Sequence, residues 1–89
     1  MSVSLAKEVT IAGTAELKNQ LLECVGNGVT EISIDGSEVE RIDTAALQVL
    51  VAFSQSLVAH KQKIAWSEMS DVLVASAKLV GLYEILGMA

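Results

Sequence analysis

The sequence predicts an α/β fold, a mixed sheet of about four to five strands with helices packed on it. Three observations carry that expectation. Short stretches that alternate apolar and polar residues are separated by longer stretches with helical spacing. They come in the order strand, strand, helix, strand, helix, strand, helix, an alternation that needs crossover connections and a largely parallel sheet centre. Proline is absent, so glycine alone punctuates the chain, at Gly13, in Gly26-Asn27-Gly28, and at Gly36, Gly81 and Gly87.

Each element follows from its residues. Val3 and Leu5 alternate with polar neighbours and suit a short strand, and Val9 and Ile11 repeat the pattern. Thr14 reads as an N-cap with Glu16 in the first turn, and Leu17, Leu21 and Val25 form one apolar stripe that Gly26 ends. Thr30 to Asp35 alternates strictly around Ile32 and Ile34, which makes a strand closed by Gly36. Apolar Val39 and Ile42 flank Glu40 and Arg41 in the next short segment. A long helix then runs from Thr44 to His60, with Ala46, Val49, Leu50, Phe53 and Leu57 on its inner side. Lys61-Gln62-Lys63 reads as a polar turn and Ile64-Ala65-Trp66 as a strand. Ser70 and Asp71 cap a last helix with Val72, Leu73, Ser76, Leu79 and Val80 on one face. Gly81 stops it, and Leu82 to Leu86 forms a final apolar turn or short helix.

Composition bounds the function. An 89-residue chain is expected to be a single domain, residues 1–89, and 52% apolar residues suffice for a core. With one Phe, one Trp and one Tyr, that core must be aliphatic. A net charge of −5 excludes a phosphate-backbone binder, so no nucleic-acid partner is expected. The single cysteine excludes an internal disulfide framework and a multi-cysteine metal site. No apolar run reaches about 18 residues, and the N-terminus has no basic segment followed by a long apolar one, so a soluble, cytoplasmic protein is expected without membrane insertion.

Catalytic chemistry has little to work with. The one histidine, His60, sits at a helix end and suits an interaction with the C-terminal dipole. Cys24 reads as a small apolar core residue. Gly26-Asn27-Gly28 follows a helix instead of preceding one, the wrong mechanics for a phosphate loop. Glu31, Asp35, Glu38, Glu40 and Asp43 stand against a single Arg41. They suit a solvated face that attracts a basic partner, with a divalent cation as the alternative. No enzyme activity, cofactor or bound metal is expected.

The informative stretch is Ile42-Asp43-Thr44-Ala45-Ala46-Leu47. Asp43 can cap the long helix, which places the Thr44 hydroxyl in the positive field of the helix end. A phosphate there would gain from that field and meet Asp43 at a like-charge cost. Plain capping explains the same residues.

Ser33-Ile34-Asp35, Val39 and Arg41-Ile42-Asp43-Thr44-Ala45-Ala46-Leu47 together resemble the STAS domain, the family of sulfate transporters and anti-sigma factor antagonists. Thr14 to Lys18, Lys63 to Trp66, Ser70 and Leu79 to Leu82 extend the resemblance over nearly the whole chain. It implies a STAS-like fold and a regulatory protein–protein interaction in the manner of an anti-sigma factor antagonist. The family's switch motif has a serine after the aspartate, phosphorylated by a kinase-like anti-sigma factor. Thr44 occupies that position here, and Ala46 stands where the motif has glycine. A threonine in this motif is also similar to the STAS accessory subunit of a bacterial lipid-transport ABC complex, where it supports contact with the ATPase. Chemotaxis-associated STAS proteins are a third similar set.

Thr44 is thus the candidate phosphoacceptor, with Arg41, Asp43, Ala46, Leu47 and Val51 as candidate partner contacts. The apolar arc of the long helix is wider than the ~100° stripe a surface helix requires. Either neighbouring helices cover the second stripe of Leu47, Val51 and Val58, or a partner does. The docking reading expects Leu47 or Val51 to stay exposed, and Leu47→Ala to cost less than the roughly 2–5 kcal/mol of a core Leu→Ala.

Overall fold

The computed structural model of the protein describes residues 2–10, 14–26 and 28–88. Its elements in chain order are β1 (Ser2–Ser4), β2 (Glu8–Val9), α1 (Thr14–Leu22), β3 (Glu31–Gly36), β4 (Arg41–Ile42), α2 (Thr44–Ala59), β5 (Lys63–Met69) and α3 (Asp71–Leu79). The α/β class holds, and the five strands divide into two ladders. One is three-stranded in the order β1-β3-β5 and the other pairs β2 with β4. All three described pairings are parallel. The predicted extension of the second strand to Ile11 lies outside the described residues, as does the side chain of Thr14.

The alternation in β3 decides which way the sheet faces. Ile32 and Ile34 are wholly buried, while Ser33 and Asp35 between them are half-buried. Register extends this pattern sideways. Val3, Ile34 and Trp66 form one row across the three strands, with Ile32 and Ile64 paired beside it. Ser2, Ser33 and Ala65 form a row on the opposite, wetter face. There Glu31 meets its register partner Lys63 in an ion pair of 3.2 Å, an exposed contact worth at most about 1 kcal/mol. The ladder between β3 and β5 shifts after Ile34, leaving Ser67 without a register partner. The Ser67 hydroxyl donates to the Ile34 carbonyl at 3.2 Å and satisfies the backbone at the bulge.

The helices bury the apolar face. Leu17, Leu21, Leu50, Phe53, Leu57, Leu73 and Ala77 join Ile32 and Ile34 in one aliphatic core. Each large side chain so buried contributes roughly 1.5–3 kcal/mol. Gly36 is where α3 comes closest to the sheet. A Cβ there would collide with the Leu73 side chain, and the Gly36 carbonyl accepts from both Val39 N and Ser70 N. The residue that closes β3 thereby also seats the start of α3.

Two segments hold the core shut in ways the residue pattern does not announce. Gln62, expected in a polar turn, is buried. Its amide donates to the carbonyls of Cys24 and Val29, and its oxygen accepts from Gly26 N at 2.7 Å. It ties the α1–β3 loop to the α2–β5 turn. At the C-terminal end, Trp66 Nε1 donates to the Leu86 carbonyl at 2.8 Å, and Leu86 and Met88 are buried. The apolar turn after α3 is thus a cover for the core. Among the described residues no helix is long and apolar enough to cross a membrane.

Candidate functional site

The junction of β4 and α2 is assembled by backbone bonds before any side chain acts. Glu8 and Val9 lie opposite Arg41 and Ile42 in the β2–β4 ladder. The Lys7 carbonyl accepts from Glu40 N and Arg41 N, and the Val9 carbonyl accepts from Asp43 N at 3.1 Å. Asp43 is therefore held extended at the mouth of the helix, with φ −97° and ψ 168°. Its Oδ1 accepts from Ala46 N at 2.9 Å and its carbonyl accepts the first helical bond from Leu47 N. That satisfies one of the orphan donors at the helix start.

Thr44 follows as the first helical residue and is exposed, as is Arg41, while Asp43 is half-buried. The structure brings these three together at one surface. It removes two others. Ala46 is wholly buried and Leu47 is 1% exposed, so neither can touch a partner. The expectation that Leu47 or Val51 stays exposed therefore rests on Val51 alone, and burial gives Leu47→Ala the setting of a core truncation. The bond from Asp43 N to Val9 fixes where α2 starts, and residues 46 and 47 join the core. Val51 is half-buried and Val58, at the far end, is 68% exposed. Neighbouring elements cover the Leu47 end of the second stripe and leave Val58 exposed.

The acidic run does not form one face. Glu31 pairs with Lys63, Asp43 caps α2, and Asp35 accepts from Ser37 N at 2.9 Å in a tight turn. The Ser37 hydroxyl and amide both bond the Asp35 carboxylate and hold its pKa below the usual carboxylate range. Glu38 joins Glu8 and Glu16 around a concavity of about 410 Å³ floored by Leu5, Val9 and Leu17. Among the described residues, no group of three or more His, Cys, Asp and Glu side chains gathers as a metal site would require. His60 lies at the C-cap of α2 with Nδ1 2.9 Å from the Ser56 carbonyl, in keeping with the dipole reading. Cys24 is buried, and that burial first, then the charge of Glu23, pushes its thiol pKa up. A thiol so placed is a core residue and not a nucleophile.

A second surface was not visible in the periodicity. Between α1 and α2 runs a groove of about 320 Å³ lined by Leu21, Leu22, Val25, Val49, Ala52 and Phe53, with Lys18, Gln48 and Ser56 at its rim. The spacing of α1 gave one stripe of Leu17, Leu21 and Val25 and left Leu22 outside it. Only the packing of α1 beside α2 shows that Leu22, 54% exposed, belongs to a concave surface.

The match to known families covers the fold and this junction together. A family model described as "Mlab, STAS domain" matches residues 1–87. A search of curated proteins found no match. The matched span contains every element from β1 to α3 and the Asp43-capped helix start, and the chain belongs to the STAS domain family.

Proposed function

We propose that this STAS domain is a regulatory protein-interaction module that docks on its partner through the start of α2, in the manner of an anti-sigma factor antagonist. The observation that carries the reading is the exposed Thr44 hydroxyl one residue beyond an Asp43-capped, backbone-anchored helix end. Arg41 and Asp43 frame it as further contacts. A kinase-like anti-sigma factor that phosphorylates Thr44 would add about −1.5 to −2 charges at the docking surface. The helix field would hold the phosphate, and its charge and desolvation cost would release the partner. No catalytic step belongs to this chain in that scheme, and it works in the cytoplasm.

The test compares wild type, Thr44→Ala and Thr44→Glu as baits in a lysate of the source cells, with the captured protein identified and the intact mass of the bait measured after ATP addition. The reading expects a kinase-like partner held by wild type and Thr44→Ala, lost by Thr44→Glu, and a phosphate on wild type alone. Equal capture of that partner by wild type and Thr44→Glu overturns the switch. A second reading has one observation in its favour, the Mlab description of the matching family. It makes the chain the STAS accessory of a lipid-transport ABC complex, with Thr44 contacting the ATPase unmodified. Capture of an ABC ATPase that Thr44→Ala weakens, with no added phosphate, decides for it.

A further inference from the structure

We infer that the groove between α1 and α2 is a binding site for a free, medium-chain aliphatic carboxylate, its chain along the groove and its carboxylate at Lys18. The units β2-α1-β3 and β4-α2-β5 are one motif used twice. Because β2 runs parallel to β4 and β3 to β5, the two crossover helices run the same way. Thr14 opens α1 and Thr44 opens α2, so Lys18 and Gln48, each four residues further on, lie at the same depth. Ser56 marks the far end, so Lys18 and Gln48 form the end of the groove nearest Thr44. Below it the walls turn apolar, with Leu21, Leu22 and Val25 on one side and Val49, Ala52 and Phe53 on the other.

Size and charge select the occupant. From Gln48 to Ser56 the α2 wall is about 12 Å long at 1.5 Å per residue. A volume of about 320 Å³ is at the small end of the range for small-molecule sites. Lys18 is the only charged residue lining the groove, and it makes no ion pair among the described residues. In a chain of net charge −5 this is an apolar concavity whose charged group favours an anion. An aliphatic chain ending in a carboxylate fits both features, whereas a neutral chain uses only the walls.

The test is a titration of the uniformly ¹⁵N-labelled protein with decanoate, kept below the concentration at which decanoate self-associates, followed by amide shifts. Saturable shifts confined to residues 18–25 and 48–56 are expected. 1-Decanol should bind wild type about tenfold more weakly, the scale of one charge-assisted contact. Lys18→Glu should lose that preference and bind decanoate about tenfold more weakly. Ala52→Trp, at an exposed position on the wall, should block both ligands while leaving the far-UV circular dichroism unchanged. Absence of saturable binding, shifts centred elsewhere, equal affinity for decanoate and decanol, or full binding by Lys18→Glu overturns the proposal. None of these outcomes depends on whether Thr44 is a switch.

Discussion

Helices α2 and α3 are finished by the same devices and differ in one residue at each end. Both begin on a side-chain cap. Asp43 accepts from Ala46 N at 2.9 Å, and Ser70 accepts from Leu73 N at 3.1 Å. Both end in the same double bond pattern. Gln62 N reaches the Leu57 carbonyl and Lys61 N the Val58 carbonyl, just as Leu82 N reaches Ala77 and Gly81 N reaches Lys78. At the start, α3 continues with Asp71, a carboxylate that already meets the positive helix end, while α2 continues with Thr44 and has no acid in its first turn. At the finish, α3 has Gly81 in the left-handed region at φ 76°, and α2 has Lys61 there at φ 59°. The helix that carries the candidate site is therefore the less optimised of the two at its finish. Its positive end is offset by the Asp43 cap itself, where α3 has a neutral Ser70 cap followed by Asp71, and a phosphate on Thr44 would stand where Asp71 stands in α3.

The largest effect should come from the part of α2 that the structure moved from surface to core. Leu47→Ala should cost roughly 2–5 kcal/mol in urea unfolding, like any large-to-small change in the core. A loss below about 1 kcal/mol would return Leu47 to the docking surface. Next come the caps. Asp43→Ala and Ser70→Ala should each destabilise by about 1 kcal/mol, read by the shift in the denaturation midpoint. The loss should be larger at Asp43, because Asp71 still offsets the dipole of α3 when Ser70 is gone. Equal losses would show that the charge of Asp43 adds nothing to its cap bond. Lys61→Gly runs in the opposite direction. A gain of roughly 1 kcal/mol in melting experiments is expected from relieving the left-handed residue, and Gly81→Lys should reverse it at α3.

The smallest effect is a pH dependence at the turn that leads from β3 toward both helices. The Asp35 pKa is lowered by its bonds from Ser37. A carboxyl whose folded pKa lies below its unfolded value contributes stability that is fully present above the ordinary value of about 3.9. That contribution disappears as pH falls through the folded pKa. Carboxyl-carbon NMR should place Asp35 below the ordinary range, and Ser37→Ala should move it upward. An unmoved Asp35 in Ser37→Ala would leave the side-chain bond without a role.

Residue pattern alone determined the class, the order of elements and the chemistry of the helix ends. Strict alternation around Ile32 and Ile34 has only one use, a strand with one buried face, and Asp43 and Ser70 stand where orphan amides need acceptors. Those are local demands, met by neighbours a few residues away, so they are legible without the fold. The same local logic placed Thr44 on the surface at a helix start. It failed at Leu47 and Gln62 and said nothing of Leu22, for one shared reason. The fate of each depends on residues distant in the chain: Leu47 packs in a core shared with residues from Leu5 to Met88, Gln62 serves carbonyls at Cys24 and Val29, and Leu22 lines a groove only because α2 lies beside α1. Periodicity reports how wide an apolar arc is. Which part of that arc meets the core, a neighbouring helix or water is decided when the two crossover units pack side by side.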